Sequence, residues 1–272
     1  MKKIILLVLV ALSVVMCSAK KADTAGTESQ AKAEQVMPTK IVVGLDDTFA
    51  PMGFKDDKGE IVGFDIDLAK AVGQKLGIPV EFKSINWDSK VIDLNNKNID
   101  VIWNGLTITE ERKKEVLFTN PYLQNSQVVV TKAGSTIVTK ADLKGKVVAA
   151  QSQSSGEEAF KKDPISKEVK ELKTFDQYDQ AFLDLEAGRV DAIVVDEIMA
   201  RYIQKTKETQ AKKALYAILT EDFGKEDYGI GARKADTLLV EKINAALKEL
   251  KKDGTFDKIN KQCFAQKLNN KI

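Results

Sequence analysis

Trp87 to Gly105 reads WDSKVIDLNNKNIDVIWNG, and Tyr178 to Asp196 reads YDQAFLDLEAGRVDAIVVD. At a constant offset of 91, Asp88, Asp93, Leu94, Asp100 and Ile102 fall on Asp179, Asp184, Leu185, Asp191 and Ile193. In each copy apolar residues at helical spacing give way to a polar or glycine break and then to a near-continuous apolar run. Each therefore reads as an N-capped amphipathic helix followed by a buried strand. Gly188, in EAGR, fits the left-handed stop that ends such a helix. Upstream of each copy a short apolar strand runs into polar residues: KIVVGLDD (Lys40–Asp47) and KVVAAQSQSSG (Lys146–Gly156). Each half is expected to be a small βαβ unit, although two helix–strand units can also look alike by chance. Ligands in open α/β sheets sit outside the carboxyl ends of the strands. Here those ends carry Asp46, Asn104 and Gly105 in one half, and Gln151, Ser154, Ser155 and Asp196 in the other.

Composition narrows the function. Lys2 and Lys3 precede an apolar run from Ile4 to Met16, short for a membrane span and suited to the core of a secretory signal. Cys17 closes the run, so residues 1–17 read as a lipoprotein-type signal. The signal is imperfect, because Met16 stands where a small residue is expected; cleavage after Ala19 is the competing reading. Residues 18–39 offer little to bury and are expected to form a disordered tether. Export to the periplasm or cell envelope follows, with membrane contact through a lipid on Cys17. Without Lys2 and Lys3, 40 of the 42 basic residues remain, against 40 acidic ones. That balance, with no basic runs, argues against a nucleic-acid partner. The chain has no histidine, and of its two cysteines only Cys263 lies in the body. Ser-His-Asp and Cys-His catalysis, histidine-containing zinc sites and a disulfide within the body are thereby excluded. No metal and no cofactor is expected.

Further motifs stand around the repeat: VGLDDTFAPMGF, GFDIDLAKAVGQKL (Gly63–Leu76), TITEERKKEVLFTNPY, DLKGKVVAAQSQSSGEEA, AGRVDAIVVDE and LKKDGTFDKINKQCF. In order and spacing, over Lys40 to Phe264, the chain resembles the bacterial extracellular solute-binding proteins of family 3, the amino-acid receptors of ABC importers. The resemblance implies a periplasmic-binding-protein-like α/β architecture of two lobes joined by two hinge crossovers. Lobe 1 would comprise residues 40–125 and 225–272, and lobe 2 residues 126–224. It implies a monomer that closes around an L-amino acid and delivers it to an ABC permease in the membrane.

The resemblance also implies roles for single residues. Arg112 would form a fork to the ligand α-carboxylate, and the physics agrees: guanidinium matches carboxylate bidentately, beside a helix start with free N–H donors. Its plainer reading is a helix arginine paired with Glu115. Thr107 would add a backbone N–H and a hydroxyl to the same carboxylate, while Thr107-x-x-Glu110 also reads as a capping box. Asp196 would meet the α-ammonium, or else cap the helix EIMARYIQ; Gly105 would add its carbonyl, with Asn104 beside it. Ser154 and Ser155 would be closing donors from lobe 2. Phe49 and Trp87 would flank the ligand side chain, if they are not plain core, and Trp103 could face either core or cleft. Asp46 and Gln151 would choose the side chain, favouring arginine, lysine or glutamine, with cation–π contact available. Glutamate is disfavoured, since no basic residue other than Arg112 stands at the strand ends. The aspartates of GFDIDL read as structural, Gly63 making a tight turn and Asp65 capping the next helix. DGTFDKINKQCF reads as a glycine stop and a short helix.

Two other classes share this architecture: a dehydratase-type enzyme and an amino-acid sensor for a chemoreceptor. Dehydration would need Asp46 and Asp196 as acid and base. Both are better accounted for as ligand anchors, so no catalytic residue is expected.

Overall fold

The computed structural model describes residues 36–265; the signal, Cys17 and the tether as far as Gln35 lie outside the described residues. Among the described residues no helix is long and apolar enough to cross a membrane.

Short, wholly apolar strands need cover on both faces, and this requirement shapes two similar sheets. In the first, Ile41–Leu45 lies between Val80–Ser84 and Val101–Ile102, parallel to both. Gly231–Ala232 and Leu117–Phe118 complete it in antiparallel sense. In the second, Val147–Gln151 lies between Glu171–Phe175 and Ala192–Asp196, again parallel to both. Leu123–Lys132 and Tyr216–Tyr228 extend it antiparallel. A small three-stranded sheet, Thr48–Phe49, Gly53–Lys55 and Ile61–Val62, follows the first central strand.

The repeat is visible in the bonding. Asp100 and Asp191 do the same work in their respective sheets. Their carboxylates accept from Val42 N–H at 2.9 Å and Val147 N–H at 2.8 Å. Their own N–H groups donate back to the carbonyls of those two residues. Leu94 and Leu185, and likewise Ile102 and Ile193, are fully buried. Gly188, at φ 73°, ends the helix Tyr178–Ala187 as expected. The start of that helix corrects the sequence reading: Gln177 at its N-cap makes no side-chain cap bond. In the first copy Asn86 accepts from Asp88 N–H and caps the 3₁₀ turn Trp87–Ser89.

Leu123–Lys132 and Tyr216–Tyr228 run side by side out of the second sheet. They lead into Leu117–Phe118 and Gly231–Ala232 of the first, and a bridge from Thr107 to Tyr228 ties them to it. The helix Thr237–Lys252 then returns to pack on Phe64–Leu76, burying Leu239, Ile243, Leu247 and Leu250. Gly254, at φ 79°, separates it from the short helix Thr255–Asn260.

The GFDIDL segment departs from expectation. The helix begins at Phe64, and Asp65 does not cap it. Phe64 and Asp65 N–H groups already donate to the Pro51 and Met52 carbonyls, so the helix start needs no carboxylate. Gly63 lies at φ 139°, and a Cβ there would sit 2.4 Å from the Met52 carbonyl oxygen. Gly63→Ala should therefore lose about 2–4 kcal/mol of stability. Urea unfolding at equilibrium measures this, and a loss below about 0.5 kcal/mol would show that the turn relaxes.

Candidate functional site

The carboxyl ends of the two central strands face each other, and the polar residues on them are buried. Asp46 and Asn104 are 3% and 2% exposed on one side, Gln151 and Asp196 2% and 3% on the other. The two sides touch. Gln151 Nε2 donates to Asp46 Oδ2 at 2.6 Å, Thr107 Oγ1 and Ser155 Oγ lie 2.9 Å apart, and Arg112 Nη2 donates to the Gln153 carbonyl at 3.1 Å. The Phe49 and Tyr178 rings approach to 6.2 Å across the same gap.

Between these contacts lies a small, narrow cavity with room for little more than a water molecule. From the first lobe it is lined by Asp46, Phe49, Trp87, Asn104, Gly105 and Arg112. From the second it is lined by Gln151, Ser154, Ser155 and Asp196. Thr107 is one hydrogen bond behind the wall, on Ser155. Trp103 is not on the wall; its ring is buried in the core, 6.3 Å from that of Tyr122.

The model for the bacterial extracellular solute-binding proteins, family 3, matches residues 41–266. The chain belongs to this family. It is 36% identical to the ABC transporter arginine-binding protein 1 of Escherichia coli, over 84% of this chain and 91% of that one. It is 33% identical to the L-cystine-binding protein TcyJ of Escherichia coli, over 82% of each. Among solved structures, an ancestral arginine-binding protein bound to arginine is 46% identical, with a TM-score of 0.77 over 84% of this chain and all of that one. An ABC uptake transporter substrate-binding protein from Streptococcus pneumoniae with bound histidine is 40% identical, with a TM-score of 0.80 over 84% and 93%. The relatives are amino-acid-binding receptors of ABC importers, not enzymes.

In this member of the family, one end of the cavity is cationic. Arg112, 9% exposed, donates through Nη1 to the Thr107 carbonyl at 3.0 Å as well as to Gln153. Pairing with Glu115 is thereby replaced. The capping box is corrected too: Thr109, not Thr107, accepts Arg112 N–H and starts the helix Glu110–Glu115. Thr107 Oγ1 also donates to Glu226 Oε1 at 2.8 Å, so Thr107, Ser155 and Glu226 share one hydrogen-bond cluster. Lys90, 6% exposed, is a second cation here and stands over the Trp87 ring at 4.9 Å. Lys90 opens a helix and ends no strand, so a reading confined to strand ends does not reach it.

The other two ends are acidic. Asp196 occupies the N-cap position of Glu197–Ala211 without capping it. Its Oδ1 instead accepts from Tyr228 OH at 2.5 Å and Asn125 Nδ2 at 2.8 Å. Asn125 Nδ2 also reaches Glu226 Oε1 at 2.7 Å. Burial, and then the neighbouring Glu226, raise the Asp196 carboxyl above the usual range. Asp46 is raised by burial, although Thr48 and Gln151 hydrogen-bond to it. Asp179, close enough to feel the Asp46 charge, is raised as well, by burial first.

Asp65 supports the wall from behind. Its Oδ2 accepts from Gly105 N–H at 2.7 Å and from Tyr122 OH at 3.0 Å. Gly105 lies at φ 61°, and a Cβ on it would stand 2.9 Å from the Phe49 ring. Sequence reasoning missed Lys90, Glu226 and Asn125, which carry no local signal; the GFDIDL motif was the one available pointer to Asp65.

Burial lifts Asp65 to about 7 from an ordinary 3.8. A carboxyl with a raised folded-state pKa favours folding while protonated, so its contribution is whole below about 4 and is lost as pH rises through about 7. Asp65→Asn, permanently neutral, should lose less stability between pH 4 and 7 than the wild type in urea titrations. Parallel pH profiles would refute the assignment.

Proposed function

We propose that this protein is the receptor of an ABC importer for a polar or basic L-amino acid, with arginine, lysine and glutamine favoured. The observation that carries the reading is the division of one cavity into a cationic end at Arg112 and acidic ends at Asp196 and Asp46. An α-carboxylate on Arg112 would take the guanidinium fork, the Gly105 turn and the hydroxyls of Ser154 and Ser155 standing near. An α-ammonium on Asp196 would restore charge to a carboxyl that burial disfavours. A cationic or amide side chain would lie between Phe49 and Trp87 and end at Asp46, whose partners Thr48 and Gln151 are both neutral. Arginine-binding relatives support this choice; histidine- and cystine-binding ones show that the family frame admits others.

Closure would work by hinge motion at the paired strands, with lobe 1 as residues 40–125 and 225–272 and lobe 2 as residues 126–224. A filled cleft offsets more of the cost of drying these charges than cross-lobe bonds alone, so ligand would shift the receptor toward the shut form, which would present one composite surface to the permease. A lipid on Cys17 would keep the receptor, as a monomer, at the membrane. The chemoreceptor-partner and dehydratase readings gain no observation of their own.

Thermal unfolding against each L-amino acid, after refolding to strip carried ligand, tests the reading. Ligand at about 1,000 times its Kd should stabilise by about 4 kcal/mol, several degrees for a chain of this size. Arg112→Ala should weaken binding at least about a hundredfold. Asp46→Asn should cost arginine and lysine more than glutamine. Shifts with aliphatic or acidic amino acids alone would remove the role of Asp46, and flat curves throughout would remove the receptor.

A further inference from the structure

Lys90 is a buried charged group that the preceding reading does not use. It opens the helix Lys90–Asn95 in the first lobe. Its Nζ donates to its own lobe at the Trp87 carbonyl, 3.0 Å, and across the cleft to the Gln153 carbonyl, 3.2 Å. That same Gln153 oxygen accepts from Arg112 Nη2. Gln153 adopts φ 56°, a left-handed conformation uncommon without glycine, and its N–H is held by Glu157 Oε2 at 2.7 Å. Two cations of one lobe thus converge on a single neutral oxygen of the other. A carbonyl supplies hydrogen-bond acceptance but no countercharge.

Three carboxylates lie near enough to favour the charge of Lys90, but burial outweighs them. Burial, and then Arg112, lower its pKa to about 7, against the opposing fields of Asp88, Glu115 and Glu157. What the pair of cations calls for is an anion, and Arg112 and Trp87, which flank Lys90, both line the cavity.

We propose that Lys90 is the second cation of the carboxylate end of the cleft, a positioning residue that makes closure depend on a ligand carboxylate. The proposal rests on the receptor reading above. Closing without a carboxylate takes Lys90 out of water beside Arg112, two like charges on one oxygen. Closing with one places a countercharge beside both and offsets their mutual repulsion. Lys90 would therefore select amino acids against their amides and amines without touching the ligand.

The test is isothermal titration of the exported chain with its best-stabilising amino acid and with the α-carboxamide of that amino acid. The wild type should prefer the acid strongly. Lys90→Met, which keeps the stem over Trp87, should weaken the acid about tenfold or more and leave the amide within about threefold. Lys90→Gln should behave like Met, because it keeps a donor for Gln153 but no charge, and it stands in for Met should that variant fail to fold. Lys90→Arg should restore the preference. Equal losses for acid and amide, or no loss for either, would overturn the proposal and leave Lys90 as packing. A wild type that binds no amino acid would instead overturn the receptor reading itself, and this inference with it.

Discussion

The hydrogen bond from Gln151 to Asp46 joins two lobes whose polar strand ends would otherwise be exposed to water or left unpaired in a dry cleft. Most of the cleft follows from that constraint. A buried polar group without a partner costs free energy, and a buried charge costs more. Asp46, Thr107 and Arg112 each find part of their hydrogen bonding on the opposite lobe. The shut arrangement is thus the one in which these groups satisfy one another, and a ligand that completes their charges favours it further.

The hinge is wired into the same network. Tyr122 stands just before the first crossover strand and donates to Asp65 behind the Gly105 turn. Tyr228 ends the second crossover strand and donates to Asp196. The two tyrosine rings lie 6.4 Å apart. Glu226, also on the second crossover, gathers Thr107 from the first lobe and Gln127 from the second. Displacement of either crossover strand would therefore disturb a wall of the cavity.

The strand ends bring one basic and two acidic side chains to a single cavity. Arg112, Gly105 and Asp196 line the same cavity as Asp46 and Gln151. Asp46 is held by Thr48 two residues on. Its N–H donates to Asn104 Oδ1 at 3.0 Å, which ties it to the turn that carries Gly105 and Thr107.

The paired βαβ units were legible in the chain, because apolar periodicity is local and the offset of 91 repeats it. Asp100 and Asp191 show the repeat reaching down to single hydrogen bonds. Strand ends could likewise be placed, and with them the residues that gather around the cavity. Rules based on neighbours in sequence misassigned Asp65, Thr107 and the pairing of Arg112, since a capping motif says nothing about competing partners far along the chain. Asp65 finds Gly105 forty residues away, and Thr107 finds Glu226 at a separation of 119. That Lys90, Gln153 and Glu226 meet at the cleft emerges from the folded chain alone. Burial and a partner on another strand or lobe define their roles, and neither is a property of the segments in which they occur.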